Sequence, residues 1–286
     1  MTIIDTIKSR SSCRTFEDRP INQDLLDNMT EFIDALTAPP FNSYSKFKII
    51  HTPDLKDKHK IGTYGFINGA QYFIIGKIKK SLNDLEDYGY LMEKIILHAT
   101  ALSLGTCWLG GTFTKDSALQ IINSAEDETC PAISPLGYKA EKRGILERSL
   151  RKIAGSDNRI PFNELSFEES LNTPLTQEKA AQYTIPLEML RLAPSASNKQ
   201  PWRIIKESRM STPIDKNIFH FYLCRTQRYE KTLNLINAAD LQRIDMGIAM
   251  CHFELSAKEQ NLNGHWEIIE NYNPIDAMQY IVTWQG

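Results

Sequence analysis

Apolar positions along this chain follow two rhythms. Between Leu25 and Leu36 they recur as Leu25, Leu26, Met29, Phe32, Ile33 and Leu36, the three-to-four spacing that gives a helix one apolar face. Phe47-Lys-Ile-Ile50 and Gln71-Tyr-Phe-Ile-Ile75 are short β-branched or aromatic runs and predict strands. A longer helical stretch, Leu85 to Leu104, sets Leu91, Met92, Ile95, Ile96, Ala99 and Leu102 on one face, with Gly105 as its expected stop. Its counterpart runs from Leu241 to Lys258, with Ile244, Ile248, Cys251 and Leu255 facing inward. Strands flanked by amphipathic helices predict an α+β class, a sheet covered by helices.

The pattern occurs twice. Ala38-Pro39 matches Ala193-Pro194 at an offset of 155, and at that offset Phe47-Lys-Ile-Ile50 falls on Trp202-Arg-Ile-Ile205. Pro20-Ile-Asn-Gln23 falls on Pro174-Leu-Thr-Gln177 at 154. Asp87-Tyr-Gly89 falls on Asp245-Met-Gly247 at 158, and Trp108 on Trp266 at the same offset. Matches kept in order with a slow drift predict a duplication. We place the boundary in the polar stretch after Gly155, giving repeats 1–158 and 159–286 that pack through their helices as an intramolecular pseudo-dimer.

Composition narrows the function classes. The 286 residues suffice for a substantial core without disulfides or a metal. Lys and Arg number 33 against 35 Asp and Glu, a net charge of −2, which argues against a strongly basic nucleic-acid binder and leaves a local basic patch open. Cys13, Cys107, Cys130, Cys224 and Cys251 form no C-x-x-C pair, so reduced thiols and a cytoplasmic setting are expected. Cys107, beside Trp108, reads as a packed thiol. The start, Met1-Thr-Ile-Ile-Asp5, lacks the basic-then-apolar form of a secretory signal, and no run approaches the roughly 18 apolar residues of a membrane span. The six histidines lack ligand spacing, so no metal is expected. No G-x-G-x-x-G fingerprint supports a nicotinamide-binding domain.

Two segments carry candidate chemistry. In Arg10-Ser-Ser-Cys-Arg14, two guanidiniums flank the hydroxyls of Ser11 and Ser12, a donor-rich group suited to phosphate; a solvated basic turn is the alternative. Ala193-Pro-Ser-Ala-Ser-Asn-Lys-Gln-Pro-Trp202 is stiffened by two prolines. Its Ser195, Ser197, Asn198 and Gln200 donate and accept, which suits a planar heterocycle with a polyol tail; a polar turn is the alternative.

These segments resemble those of the FMN-dependent nitroreductase family, which has an N-terminal Arg-x-Ser-x-Arg and a later Ala-Pro-Ser-x-x-Asn-x-Gln-Pro-Trp. Arg10, Ser12 and Arg14 match the first, and Ala193 to Trp202 match the second. Leu104-Gly-Thr-Cys-Trp-Leu-Gly-Gly111 resembles the family's helix-ending Leu-Gly-x-x-x-Trp-x-Gly. Gly137-Tyr138, followed by the basic stretch Lys142 to Arg151, resembles its Gly-Tyr strand end. One departure stands out. The family's second motif lies about thirty residues after the first, but here that place holds the degraded Ala38-Pro-Pro-Phe-Asn-Ser-Tyr-Ser-Lys-Phe47. The family is typically a homodimer with FMN between subunits, so the chain is similar to a tandem subgroup in which both subunits are fused.

The resemblance implies a tightly bound FMN and NAD(P)H as a transient reductant. Arg10, Ser11, Ser12 and Arg14 would hold the phosphate and the ribityl or flavin edge, and Arg148 or Arg151 would complete the phosphate site. Pro194, Ser195, Ala196, Ser197 and Asn198 would line the ring from the other half. Leu109, Gly110 and Gly111 would offer backbone near the flavin N5 edge, and Tyr64 would border the substrate face. Hydride taken from NAD(P)H would pass to a small electron-poor acceptor such as a nitroaromatic or quinone, with no side chain acting as nucleophile or base. A flavin-binding storage or sensing module without turnover is the alternative. No nucleic-acid or membrane partner is expected, and a monomer acting as a pseudo-dimer is.

Overall fold

The computed structural model describes residues 1–55, 61–141, 158–207, 217–227, 238–270 and 278–286, with the single positions 144, 149, 155, 229 and 275. In chain order the first half holds α1 (Ile3–Ser9), α2 (Gln23–Asp34), β1 (Ser45–His51), β2 (Tyr72–Lys79), α3 (Asp84–Ala101), β3 (Gly105–Thr106), α4 (Lys115–Ile121), β4 (Glu128–Thr129) and β5 (Ile133–Gly137). The second holds α5 (Phe162–Leu165), β6 (Ser166–Glu168), α6 (Gln177–Ala180), α7 (Thr184–Arg191), β7 (Trp202–Glu207), β8 (Ile218–Leu223), α8 (Leu241–Glu259), β9 (His265–Glu267) and β10 (Gln279–Gln285).

The duplication is visible in the sheets. The first runs β1-β2-β5-β3, and the second repeats that path as β7-β8-β10-β9 with β6 added at the edge, parallel to β7. The remaining pairings along both paths are antiparallel. Both long helices also end alike. Ser103 takes φ 63° and Leu104 N–H donates to Ala99 C=O at 2.9 Å; Asn261 takes φ 58° and Leu262 N–H donates to Ala257 C=O at 2.9 Å. Each is a left-handed cap that satisfies carbonyls of the last turn. Gly105 is therefore not the stop expected from the sequence. It opens β3, where a Cβ would come within 2.9 Å of Lys139 Cγ and 3.0 Å of Cys13 Sγ.

The expectation of one buried face also needs correction. α3 is buried from Asp84 to Glu93, and α8 from Ile244 to Glu254, on all sides. A half-chain alone would expose the polar sides, but the two helices pack against each other between the sheets and cover them. Several of the polar and charged residues caught there pair across the halves. Arg243 Nε donates to Glu86 Oε1 at 2.8 Å, Tyr90 OH to Glu254 Oε2 at 2.9 Å, and a His252 ring nitrogen lies 2.9 Å from Glu93 Oε1. Buried charge is tolerated where it is paired in this way. No described helix is long and apolar enough to cross a membrane.

Candidate functional site

The N-terminal segment leaves α1 and runs beside β3. Cys13 N–H donates to Thr106 C=O at 2.8 Å, and Asn68 N–H to Arg14 C=O at 2.9 Å. This anchoring sets Ser12 and Arg14 on the wall of a cavity of about 140 Å³ together with Trp108 and Gly110. The opposite wall comes from the second half: Pro194, Ser195, Ala196 and Ser197, then Leu241, Ile244 and Asp245 of α8. Two segments far apart in sequence thus face each other across one space, each contributed by a different repeat.

The second-half loop is shaped by strain and by internal hydrogen bonds. Ser197, Asn198 and Gln200 have φ of 50°, 53° and 47°, left-handed values that non-glycine residues hold only when their surroundings compel them. Gln200 N–H donates to Ser195 Oγ at 2.8 Å, and Ile160 N–H donates to Gln200 Oε1 at 2.9 Å. Asn198 Nδ2 donates to the carbonyls of Gly155 and Asn158 at 2.8 and 3.0 Å, so this side chain holds the connection between the repeats rather than the cavity. Ala196 N–H donates to Asp245 Oδ1 at 2.9 Å and ties the loop to α8.

Trp108 is held from behind. Its Nε1–H donates to Glu93 Oε2 at 2.7 Å, and the other oxygen of Glu93 faces His252, both side chains being fully buried. Arg10 points at this pair, its Nε 3.9 Å from Glu93 Oε1, and that buried Nε has no hydrogen-bond partner. Leu109 exchanges hydrogen bonds with Ile133 of β5 at 2.9 and 3.0 Å, leaving Gly110 to form the wall. A Cβ on Gly110 would lie 2.4 Å from Leu241 Cδ2, so the missing side chain is what keeps the two halves in contact there. Beyond Gly110 a second space of about 370 Å³ opens, lined by Tyr64, Gly111, Lys115 and Ala239 among others.

Of the residues expected from the sequence, Ser12, Arg14, Gly110 and Pro194 to Ser197 share the first cavity; Tyr64 and Gly111 join Gly110 on the second. Arg10, Leu109 and Asn198 stand behind these walls, and Ser11 is not on them. Arg148 and Arg151 lie outside the described residues. Sequence reasoning missed Glu93, His252 and Asp245 as parts of the site. The one available signal was that Asp245 had already surfaced as the repeat partner of Asp87; nothing in the spacing set Glu93 or His252 apart from the other polar residues of their helices.

The pseudo-equivalent place on the other side of the molecule is an open groove of about 400 Å³ with Pro40, Phe41, Trp266 and Ile268 on its walls. Ile268 stands where Gly110 stands in the first, at the offset of 158. Among the described residues no Lys or Arg lines this groove.

A flavin mononucleotide needs donors for a dianion at one end and a flat, mixed polar and apolar wall at the other. Ser12 and Arg14 meet the first need. The second is met by the 194–197 loop, the bare Gly110 and the orphaned buried oxygen of Asp245, whose Oδ2 has no hydrogen-bond partner. The residues present fit the group.

A family model described as "Putative TM nitroreductase" matches residues 2–257. The crystal structure of a "putative nitroreductase" from Thermotoga maritima aligns with 100% of this chain and 93% of its own, with TM-score 0.58 and 20% identity. A curated relative from Methanothermobacter thermautotrophicus, named "Putative NADH dehydrogenase/NAD(P)H nitroreductase", is 26% identical over 157 residues, 50% of this chain and 81% of its own length. A nitroreductase structure with bound FMN from Bacteroides fragilis is 21% identical and covers 51% of this chain and 92% of its own, with TM-score 0.40.

Proposed function

Since the chain belongs to the family described as "Putative TM nitroreductase", we propose that it is an FMN-dependent oxidoreductase that takes electrons from NAD(P)H and passes them to a small electron-poor acceptor such as a nitroaromatic or quinone. One observation carries the reading: a cavity walled on one side by Ser12 and Arg14 and on the other by Pro194 to Ser197, with neither half alone completing it. In this reading the repeats are 1–158 and 159–286, and the chain works as a monomer with one site.

When bound, the flavin supplies the electron transfer itself. The chain's task is to bind and orient. Arg14 and Ser12 offer charge-assisted and hydroxyl hydrogen bonds to a phosphate. Gly110, without a side chain, gives a flat wall for close approach. Trp108, fixed by Glu93, supplies a rigid apolar face that excludes water. The 370 Å³ space beyond Gly110 offers room for the acceptor and for the nicotinamide in turn. The name of the Methanothermobacter relative supports NAD(P)H as the reductant.

The test joins stoichiometry to chemistry. Native mass measurement should find a 32.7 kDa species carrying one FMN. Under anaerobic conditions NADH or NADPH should bleach the flavin band, and a quinone should restore it. A chain that holds FMN but bleaches with neither reductant is a binding module. An obligate dimer that sheds flavin on dissociation would place the two walls on different chains and refute the fused site.

A further inference from the structure

The duplication supplies an internal control for one buried carboxyl group. Asp87 on α3 and Asp245 on α8 are repeat partners at the offset of 158, and each receives hydrogen bonds from the equivalent loop of its own repeat. Asp87 is fully used: Oδ1 accepts from Phe41 N–H at 2.9 Å and Oδ2 from Ser43 N–H at 2.8 Å. At Asp245 the first bond is kept, from Ala196 N–H to Oδ1 at 2.9 Å. The second is gone. Asn198 N–H, which occupies the place of Ser43 N–H, turns instead to Ser195 C=O at 3.0 Å. Oδ2 is left buried with no partner, in a residue only 2% exposed that lines the cavity.

An unpaired buried oxygen bears its desolvation cost with nothing to offset it, so a loop that keeps one bond and gives up the other marks a group reserved for something else. Resting on the flavin reading above, we propose that Asp245 is a positioning residue of the cavity, holding the loop through Oδ1 and giving an Oδ2–H hydrogen bond to a polar atom on the ring edge of bound flavin. Burial favours the neutral acid that such a donor requires, and Asp240 nearby disfavours a second negative charge. Among the described residues, the other ionisable groups facing this region are Tyr229, beside Ser197, and Arg14 on the cavity wall. The geometric ground for the role is the bond missing at Asp245 Oδ2 where Asp87 keeps both of its bonds.

The experiment uses the full chain, with FMN and riboflavin as separate probes. Asp245→Ala should weaken both by the same factor, about threefold to tenfold, the worth of one hydrogen bond, because the contact is to the ring. Arg14→Ala should weaken FMN and spare riboflavin. Asp87→Ala breaks the equivalent loop contacts in the other half and should leave both affinities unchanged, which separates a ring contact from general loosening. Asp245→Asn keeps an N–H donor and should bind within about threefold of the parent chain, with the visible flavin band displaced because an amide replaces an acid. If Asp245→Ala does not fold, the band of Asp245→Asn decides alone. Unchanged affinities in Asp245→Ala, or a parental band in Asp245→Asn, would overturn the assignment. A parent chain that binds neither probe would sink the flavin reading itself, a separate outcome.

Discussion

Gly89 and Gly247, repeat partners on α3 and α8, each make room for the other helix's backbone. A Cβ on Gly89 would lie 2.2 Å from Ile244 C=O, and one on Gly247 only 1.8 Å from Glu86 C=O. These are contacts with main chain, which cannot swing aside. The helices therefore cross at a distance that no side chain permits, and the halves are locked together at that point.

Gly247→Ala should consequently destabilise the chain by about 3 kcal/mol, the upper end for overpacking a buried position. Gly89→Ala should follow it closely. Urea unfolding would measure both, and a loss under about 0.5 kcal/mol, the range of an ordinary surface substitution, would show that the helices can part freely.

Glu93 gathers Trp108, His252 and Arg10 around one buried carboxylate. Glu93→Ala should cost about 3–5 kcal/mol, because a buried charge and two ring nitrogens lose their partner. The intrinsic fluorescence of Trp108 should change with it. A variant of parental stability would mean that water fills the space and replaces the carboxylate.

The two arginines of the N-terminal segment should behave differently. Arg14 lines the cavity, so Arg14→Ala should weaken FMN about tenfold to a hundredfold, the worth of one charge-assisted bond. Arg10 points at Glu93, so Arg10→Ala should lower the melting temperature as well as any affinity. Equilibrium titration beside a thermal scan distinguishes the two patterns.

The loops of the two halves offer a matched comparison. Ser43 Oγ meets Ser81 Oγ at 3.0 Å, and Ser43→Ala should leave flavin affinity unaltered. Ser197 lines the cavity, and Ser197→Ala should reduce affinity about threefold to tenfold. Asn198→Ala should act mainly on stability, through the Gly155 and Asn158 carbonyls that its amide holds. Equal affinity losses at positions 43 and 197 would disprove the pairing of the loops.

Stability should also depend on pH through Asp245. Burial raises its folded-state pKa well above the ordinary carboxylate value, so the folded chain keeps a proton that the unfolded chain has already released. Folding is then favoured at low pH, and that contribution is lost as pH rises through the folded-state value. Asp245→Asn removes the titration. Its melting temperature should fall less than the parent's between about pH 5 and 8, and parallel curves would show that the group ionises freely.

Much of this was legible in the sequence because it is local. The amphipathic spacing around Met29 and Ile33 and the apolar runs at Ile49 and Ile74 each found their helix or strand, and the order of matched segments found the repeat. Ser12, Arg14 and the 194–197 loop were legible as donor-rich motifs. What stayed hidden depends on the other half of the molecule. Glu86, Glu93 and Glu254 fall outside the apolar faces read from the spacing, and they are buried because α3 and α8 cover each other. The caps at Ser103 and Asn261 are left-handed at residues other than glycine, so no glycine at the capping position marks them.

Gly110 and Ile268 carry one more consequence. In a symmetric homodimer they would be the same residue, so any change at one site would be written into the other. Joining the copies in one chain ends that constraint. A side chain that would block the first cavity can settle at position 268, and Asp245 can drop a bond that Asp87 keeps. Each repeat is then free to specialise, one side as a ligand cavity and the other as a scaffold, at positions where twofold symmetry would have forced a compromise.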